Sequence, residues 1–261
     1  MAKKGAIYVG TSGWMYKDWG AMFYPPSLKK GHLAYLAGEF ITVEINSSFY
    51  YLPLHSTFEK WREETPNDFI FAVKLSRYIT HIKKLEGVTT ELNRFLNRAK
   101  RLKEKLGVIL IQLPPSLKYD EKLLEGFLAA LKSACTKQKL TPRFALEPRH
   151  TSWMETQNTK DVRTQLTRFK NICLVFPHSA KIASFPPTDE NVLSDFAYVR
   201  FHGPSEFAAS RYGPRRLKPW ADRIMKWHAR GITTFVYFNN DIHGHAIVDA
   251  RTLKSQLRIT R

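Results

Sequence analysis

Apolar runs recur along the chain at intervals of roughly thirty residues. They are Ile7–Gly10, Ile41–Ile45, Phe69–Lys74, Val108–Leu113, Arg143–Glu147, Ile172–Phe176, Phe196–His202 and Thr233–Phe238. Polar residues seldom interrupt them, as in strands covered on both faces. Between them, Leu54–Glu64, Thr89–Leu106, Glu121–Ala134, Thr159–Phe169, Pro214–Arg230 and His245–Leu257 carry helical patterns, the third opened by Asp120 as a helix N-cap. Eight strands alternating with helices predict an α/β fold, a TIM-like (β/α)8 barrel forming one domain over residues 1–261. The paired prolines in Pro177–Asp195 oppose a helix, so an irregular connection between strands six and seven is expected. A doubly wound open sheet with fewer strands is the alternative.

In such a barrel, functional groups gather where the strands end. Those ends read Thr11-Ser12-Gly13-Trp14, Glu44-Ile45-Asn46, Lys74, Gln112, Glu147-Pro148-Arg149-His150, Arg200 with His202, and Asn239-Asn240-Asp241. Residues two apart in a strand point the same way, so Glu44 is aligned with Asn46, Glu147 with Arg149, and Arg200 with His202. A ring of polar ends after apolar interiors predicts a polar pocket. Glu44 has a structural alternative, a buried bridge to Lys74 or Arg149. Gln112 is expected to satisfy loop backbone before Pro114, and Trp14 and Trp19 to pack loops. His55, His81 and His178 read individually as surface or satisfied histidines.

Charge changes this picture most. The 261 residues include 41 Lys and Arg against 23 Asp and Glu, a net charge of +18. A lysine-rich thermophile surface would match those cations with glutamates in ion-pair networks. Here the acids are missing, which points to a nucleic acid or another polyanion as partner. The two cysteines, Cys135 and Cys173, make no disulfide framework and predict a reducing, cytoplasmic setting. The opening MAKKGAIYVGTSGW has no apolar segment of signal-peptide type, and no run approaches membrane-spanning length, so no membrane partner is expected.

The runs "YVGTSGWMYKDW", "VEINSSFYYLP", "FIFAVKLSRYITH", "GVILIQLPPS", "LEPRHTSW", "YVRFHG" and "VYFNNDIHGHAIVDA" resemble the domain of unknown function 72 family from about Tyr8 to Leu253. The resemblance implies a TIM-barrel-like fold and brings no established activity. Pro148 stands where that family's strand-five motif has an aromatic or aliphatic residue.

Several chemistries lack their motifs. There is no G-x-S-x-G nucleophile elbow, no G-x-G-x-x-G after the first strand and no P-loop. Glu44 and Glu147, on strands two and five, read as too far round the barrel to flank one glycosidic bond. Glu44, Glu147, His202 and Asp241, with His243 and His245 nearby, are scattered candidate ligands. They make a divalent metal a possible cofactor but the weaker reading, and no metal site is assigned. Phosphate fits the loops after strands seven and eight, where Gly203 lets backbone approach closely and Asn239, Asn240 and Asp241 follow. Asn46, Lys74, Arg149 and Arg200 complete the expected substrate contacts. The expectation is a phosphodiester hydrolase of nuclease type, with Glu44 or Glu147 as general base and His202 as the acid. The alternatives are a non-catalytic nucleic-acid-binding protein and a sugar-phosphate isomerase or lyase. A small phosphate-bearing ligand suits each reading.

Overall fold

The structure, a computed structural model, describes residues 3–259. Eight parallel strands, β1 (Ile7–Ser12), β2 (Thr42–Ile45), β3 (Ile70–Lys74), β4 (Leu106–Gln112), β5 (Arg143–Glu147), β6 (Ile172–His178), β7 (Phe196–Phe201) and β8 (Thr233–Phe238), close into a barrel in chain order. Period-two alternation divides their side chains. Ala72, Leu110, Ala145, Val175, Tyr198 and Tyr237 fill the barrel interior. Their neighbours Val43, Phe71, Ile109, Leu146, Phe201 and Phe238 face the helical layer.

That alternation fixes the site. Lys74, Gln112, Glu147 and Arg200 each lie two residues beyond an interior residue, at Ala72, Leu110, Ala145 and Tyr198. Glu44 lies two beyond Thr42, whose buried hydroxyl meets the Tyr237 hydroxyl at 2.6 Å. Ser12 pairs with Glu44 and Gln112 with Glu147 in register, so these polar ends share one level. Asn46 opens the short helix Ser47–Tyr50. There Ser48 Oγ donates to the carbonyls of Ile45 (3.1 Å) and Lys74 (2.7 Å), tying the ends of β2 and β3 together.

The connection between β6 and β7 is irregular, holding only a 3-10 turn at Asp189–Asn191. Other elements differ from the sequence pattern in their limits. The helix expected over Thr89–Leu106 is α-helical only over Thr89–Ala99, and a tighter stretch, Lys100–Lys105, follows. Lys103 sits at φ 51° there, which breaks the helix before β4. The helix after Asp120 runs on to Gln138, its cap formed by the Asp120 carboxylate accepting from the Leu123 N–H at 2.9 Å. His32–Ala37 supplies a helix between β1 and β2 that the pattern did not announce. Among the described residues no helix is long and apolar enough to cross a membrane.

Candidate functional site

A cavity of about 820 Å3 opens at the carboxyl ends of the strands. Its floor is a charged network centred on Arg200, which is 1% exposed. Nε and Nη2 of Arg200 donate to the two oxygens of Glu44 at 3.0 and 2.7 Å, a bidentate pair. Nη1 donates to Glu147 Oε2 at 2.7 Å. Ser12 Oγ (2.5 Å) and the Tyr198 hydroxyl (2.6 Å) also donate to Glu44, and Arg149 Nε donates to Glu147 Oε1 at 2.7 Å. The two glutamates are fully buried, and every carboxylate oxygen is engaged. One guanidinium thus spans the distance that strand numbering made too long. The bridge expected from Glu44 to Lys74 or Arg149 is instead to Arg200, while Arg149 turns back past Pro148 to Glu147.

These contacts weigh against the expected catalytic roles. Burial alone would push the Glu147 carboxyl up, but Arg200 and Arg149 outweigh it and hold it well below the usual carboxylate range. A carboxylate so stabilised is a weak proton acceptor. Glu44 accepts four hydrogen bonds, which leaves no lone pair directed at a substrate. His202 is fully buried, and burial followed by Arg200 pushes its pKa well below the ordinary value. It is a neutral ring packed parallel to Phe207 with centroids 5.4 Å apart, not an imidazolium ready to protonate a leaving group. Its nitrogens face Arg200 Nη1 (3.3 Å) and Asn239 Nδ2 (3.2 Å), and Asn239 Oδ1 accepts from Asn46 at 3.3 Å.

Two expected substrate contacts lie outside the cavity. Asn240 is fully buried and donates to the Ser210 carbonyl (3.0 Å) and to Asp249 (2.8 Å), because consecutive residues leaving a strand point to opposite sides. The Gly203 N–H donates to the Tyr212 hydroxyl at 3.2 Å. Gly203 has φ +97°, and a Cβ there would stand 2.2 Å from the Glu206 carbonyl oxygen, so the glycine serves the turn.

Asn46, Lys74, Arg149, Arg200, Asn239 and Asp241 do line the cavity. Lys74 Nζ lies 4.1 Å from the Phe49 ring centroid. Burial first and Arg200 next bring its pKa down to about 7, against the partial opposition of Glu147 and Glu44. Asp241 is 8% exposed, and its Oδ1 accepts no hydrogen bond. Burial pushes its carboxyl well above the usual range, although the neighbouring Tyr16 hydroxyl opposes the shift.

Tyr16 and His81 also face the cavity, and strand-end reasoning missed both. The motif "GTSGWMYKDW" carries Tyr16, but nothing in its spacing marks the ring. His81, which reads alone as a surface or satisfied histidine, reaches the cavity because a single π-helical turn, Tyr78–Ile82, follows β3. Of the other two histidines read that way, His55 meets Asn97 at 2.7 Å and His178 meets the Tyr212 hydroxyl at 3.0 Å. Among the described residues no group of three His, Cys, Asp or Glu side chains converges as a metal-ligand set, and His245 begins the last helix.

The sequence signature described as "Protein of unknown function DUF72" matches residues 8–261. The chain belongs to the DUF72 family. A DUF72 family protein from Thermotoga maritima, known from its crystal structure, is 28% identical; the match covers 97% of this chain and 99% of that one, with a TM-score of 0.80. The UPF0759 protein YecE of Escherichia coli K12 is 24% identical over 97% of this chain and 93% of its own. The UPF0759 protein YunF of Bacillus subtilis is 23% identical over 97% and 95%. These relatives place the DUF72 chain in a fold and a family. Its chemistry rests on its own cavity.

Proposed function

We propose that this DUF72 barrel binds a small phosphate-bearing metabolite in the cavity at its carboxyl end and acts on it as an isomerase or lyase, not as a phosphodiester hydrolase. One observation carries the reading. Both strand-end glutamates are engaged by arginines, so the cavity wall keeps Lys17, Lys74, Arg77 and Arg149 as cationic groups against Asp18 and Asp241. The wall is positive, and the volume suits a metabolite. Arg149 gives only its Nε to Glu147, which leaves the fork of terminal N–H groups for a phosphate. Hydrolysis by a glutamate base is disfavoured by the same network. A thermal-shift series pairing sugar phosphates with their dephosphorylated parents tests the reading. Phosphorylated members should raise Tm and the parents should not; equal shifts within every pair would refute it.

A specific surface feature favours a second reading, nucleic-acid binding without cleavage. Tyr50 (68% exposed), Tyr51 (84%) and Tyr78 (47%) stand on the loops after β2 and β3, beside the cavity of a chain with charge +18. Exposed aromatics on a basic rim are the elements of a base-stacking platform.

A further inference from the structure

Lys74 is the cavity's anomaly. It ends β3 between β2, which carries Glu44, and β4, which carries Gln112. A half-buried lysine normally points its amine at a carboxylate. Here all four carboxylate oxygens of the floor already accept hydrogen bonds, from Arg200, Arg149, Ser12 and Tyr198. Among the described residues, Lys74 Nζ makes no hydrogen bond and no ion pair, and what lies beneath it is the Phe49 ring. The charged and titratable groups around it are Arg200 on β7 and His202 just after it, Glu147 and Arg149 at β5, Glu44 on β2 and His81 after β3. An amine lifted off its counter-ion and crowded by guanidiniums is the arrangement that activates lysine nucleophiles.

His81 stands beside it. Its ring meets Phe49 edge to face, with centroids 4.9 Å apart, so amine and imidazole share one aromatic platform. Thr80 Oγ1 meets His81 Nδ1 at 2.8 Å, and Gln112 Nε2 lies 3.5 Å from Nε2. Burial, and then Lys74, lower the His81 pKa to about 4, so the ring is neutral and able to relay protons. With a Lys74 pKa of about 7, roughly half of the amine is unprotonated at neutral pH, where an ordinary lysine is almost wholly charged.

We propose that Lys74 Nζ forms an imine with the carbonyl carbon of a small phosphate-bearing aldehyde or ketone, beside His81 over the Phe49 ring. The amine lone pair makes the N–C bond while the carbonyl π pair moves to oxygen, which takes a proton as nitrogen releases one. The carbinolamine then loses that oxygen as water: the C–O bond breaks and C=N forms. One amine and one carbonyl become one imine and one water, with nothing oxidised or reduced. The protonated imine withdraws electrons from the neighbouring carbon, as isomerase and lyase steps require. This inference rests on the phosphate-binding reading, because Arg149 must hold the phosphate while Lys74 meets the carbonyl.

The test uses borohydride trapping on the full chain. Protein is incubated at neutral pH with glyceraldehyde 3-phosphate or dihydroxyacetone phosphate, and in parallel with glyceraldehyde or dihydroxyacetone. It is then reduced and analysed by intact mass and peptide mapping, with Tm measured on unreduced samples. The expected result is one adduct on Lys74, at least tenfold above any other lysine, formed from the phosphorylated carbonyls and half-maximal near pH 7. Lys74→Arg, which keeps the charge but cannot form an imine, should lose the adduct. Mapping on the unmodified sequence keeps the proposal falsifiable should that variant misfold. Adducts scattered over surface lysines, or none at Lys74, with the Tm shift intact, would overturn the imine and leave the phosphate reading standing. Loss of both signals would overturn both.

Discussion

Arg200→Met removes the one cation that two buried glutamates share, and the structure says how unequally they would suffer. Glu147 keeps its 2.7 Å bond from Arg149. Glu44 keeps only the hydroxyls of Ser12 and Tyr198 and becomes a buried carboxylate with no counter-ion. Breaking a buried pair from one side costs about 3–5 kcal/mol. For a chain of this size that is a fall in Tm of about 6–20 °C at neutral pH. The pH dependence carries the sign. In the unaltered protein the Glu147 carboxyl lies below its unfolded pKa of about 4.3, so its stabilisation is present above that pH and is lost on acidification. In the variant Glu147 loses the larger of the two charges that lower it, so the part of this stabilisation owed to Arg200 is missing above that pH, and the variant should regain ground on the unaltered protein as pH falls from about 7 to about 3. Urea unfolding at both pH values reads this directly, and Glu44→Gln in the Arg200→Met background should recover part of the loss. A deficit under about 1 kcal/mol at the higher pH, or one that widens on acidification, would refute the account of the network.

Two further outcomes follow from the same structure. Asp241 has a folded pKa raised above its unfolded value of about 3.9, so it destabilises increasingly as pH rises past that value; Asp241→Asn should raise Tm at pH 7, with the gain vanishing below about pH 4, and an unchanged or lower Tm at pH 7 would contradict the burial of a lone carboxyl. Fluorescence anisotropy with single-stranded DNA and RNA should show affinity that falls steeply as salt rises, and Tyr51→Ala should weaken it; salt-independent affinity, or none at low salt, removes the nucleic-acid reading.

The barrel was legible because parallel strands buried on both faces write themselves as unbroken apolar runs, and because a charged residue two positions beyond an interior one has only the rim to go to. That argument reaches Glu44, Lys74, Glu147 and Arg200 from sequence alone. It cannot reach their pairing. Spacing along a strand says nothing of distances across the barrel, so Lys74 and Arg149 read as natural partners for Glu44 while the longer, forked side chain of Arg200 takes both glutamates. Asn239 and Asn240 look equivalent in the sequence, and only the alternation of the backbone as it leaves β8 sends one to the cavity and the other to Asp249. His81 had no signal because a lone π turn has no periodicity to read.

Charge neutrality explains why the proposed nucleophile, Lys74, sits at the edge of the site and not in its centre. Glu44 and Glu147 face Arg200 and Arg149, two anions against two cations, and the hydroxyls of Ser12 and Tyr198 complete the set. A closed network of this kind is rigid, because moving any member strands a buried charge. The same closure leaves Lys74 without a carboxylate to itself, and burial raises the Asp241 carboxyl. A phosphate at Arg149 would add the missing anion. It would also bring a carbonyl within the span of the cavity to an amine that is already half unprotonated.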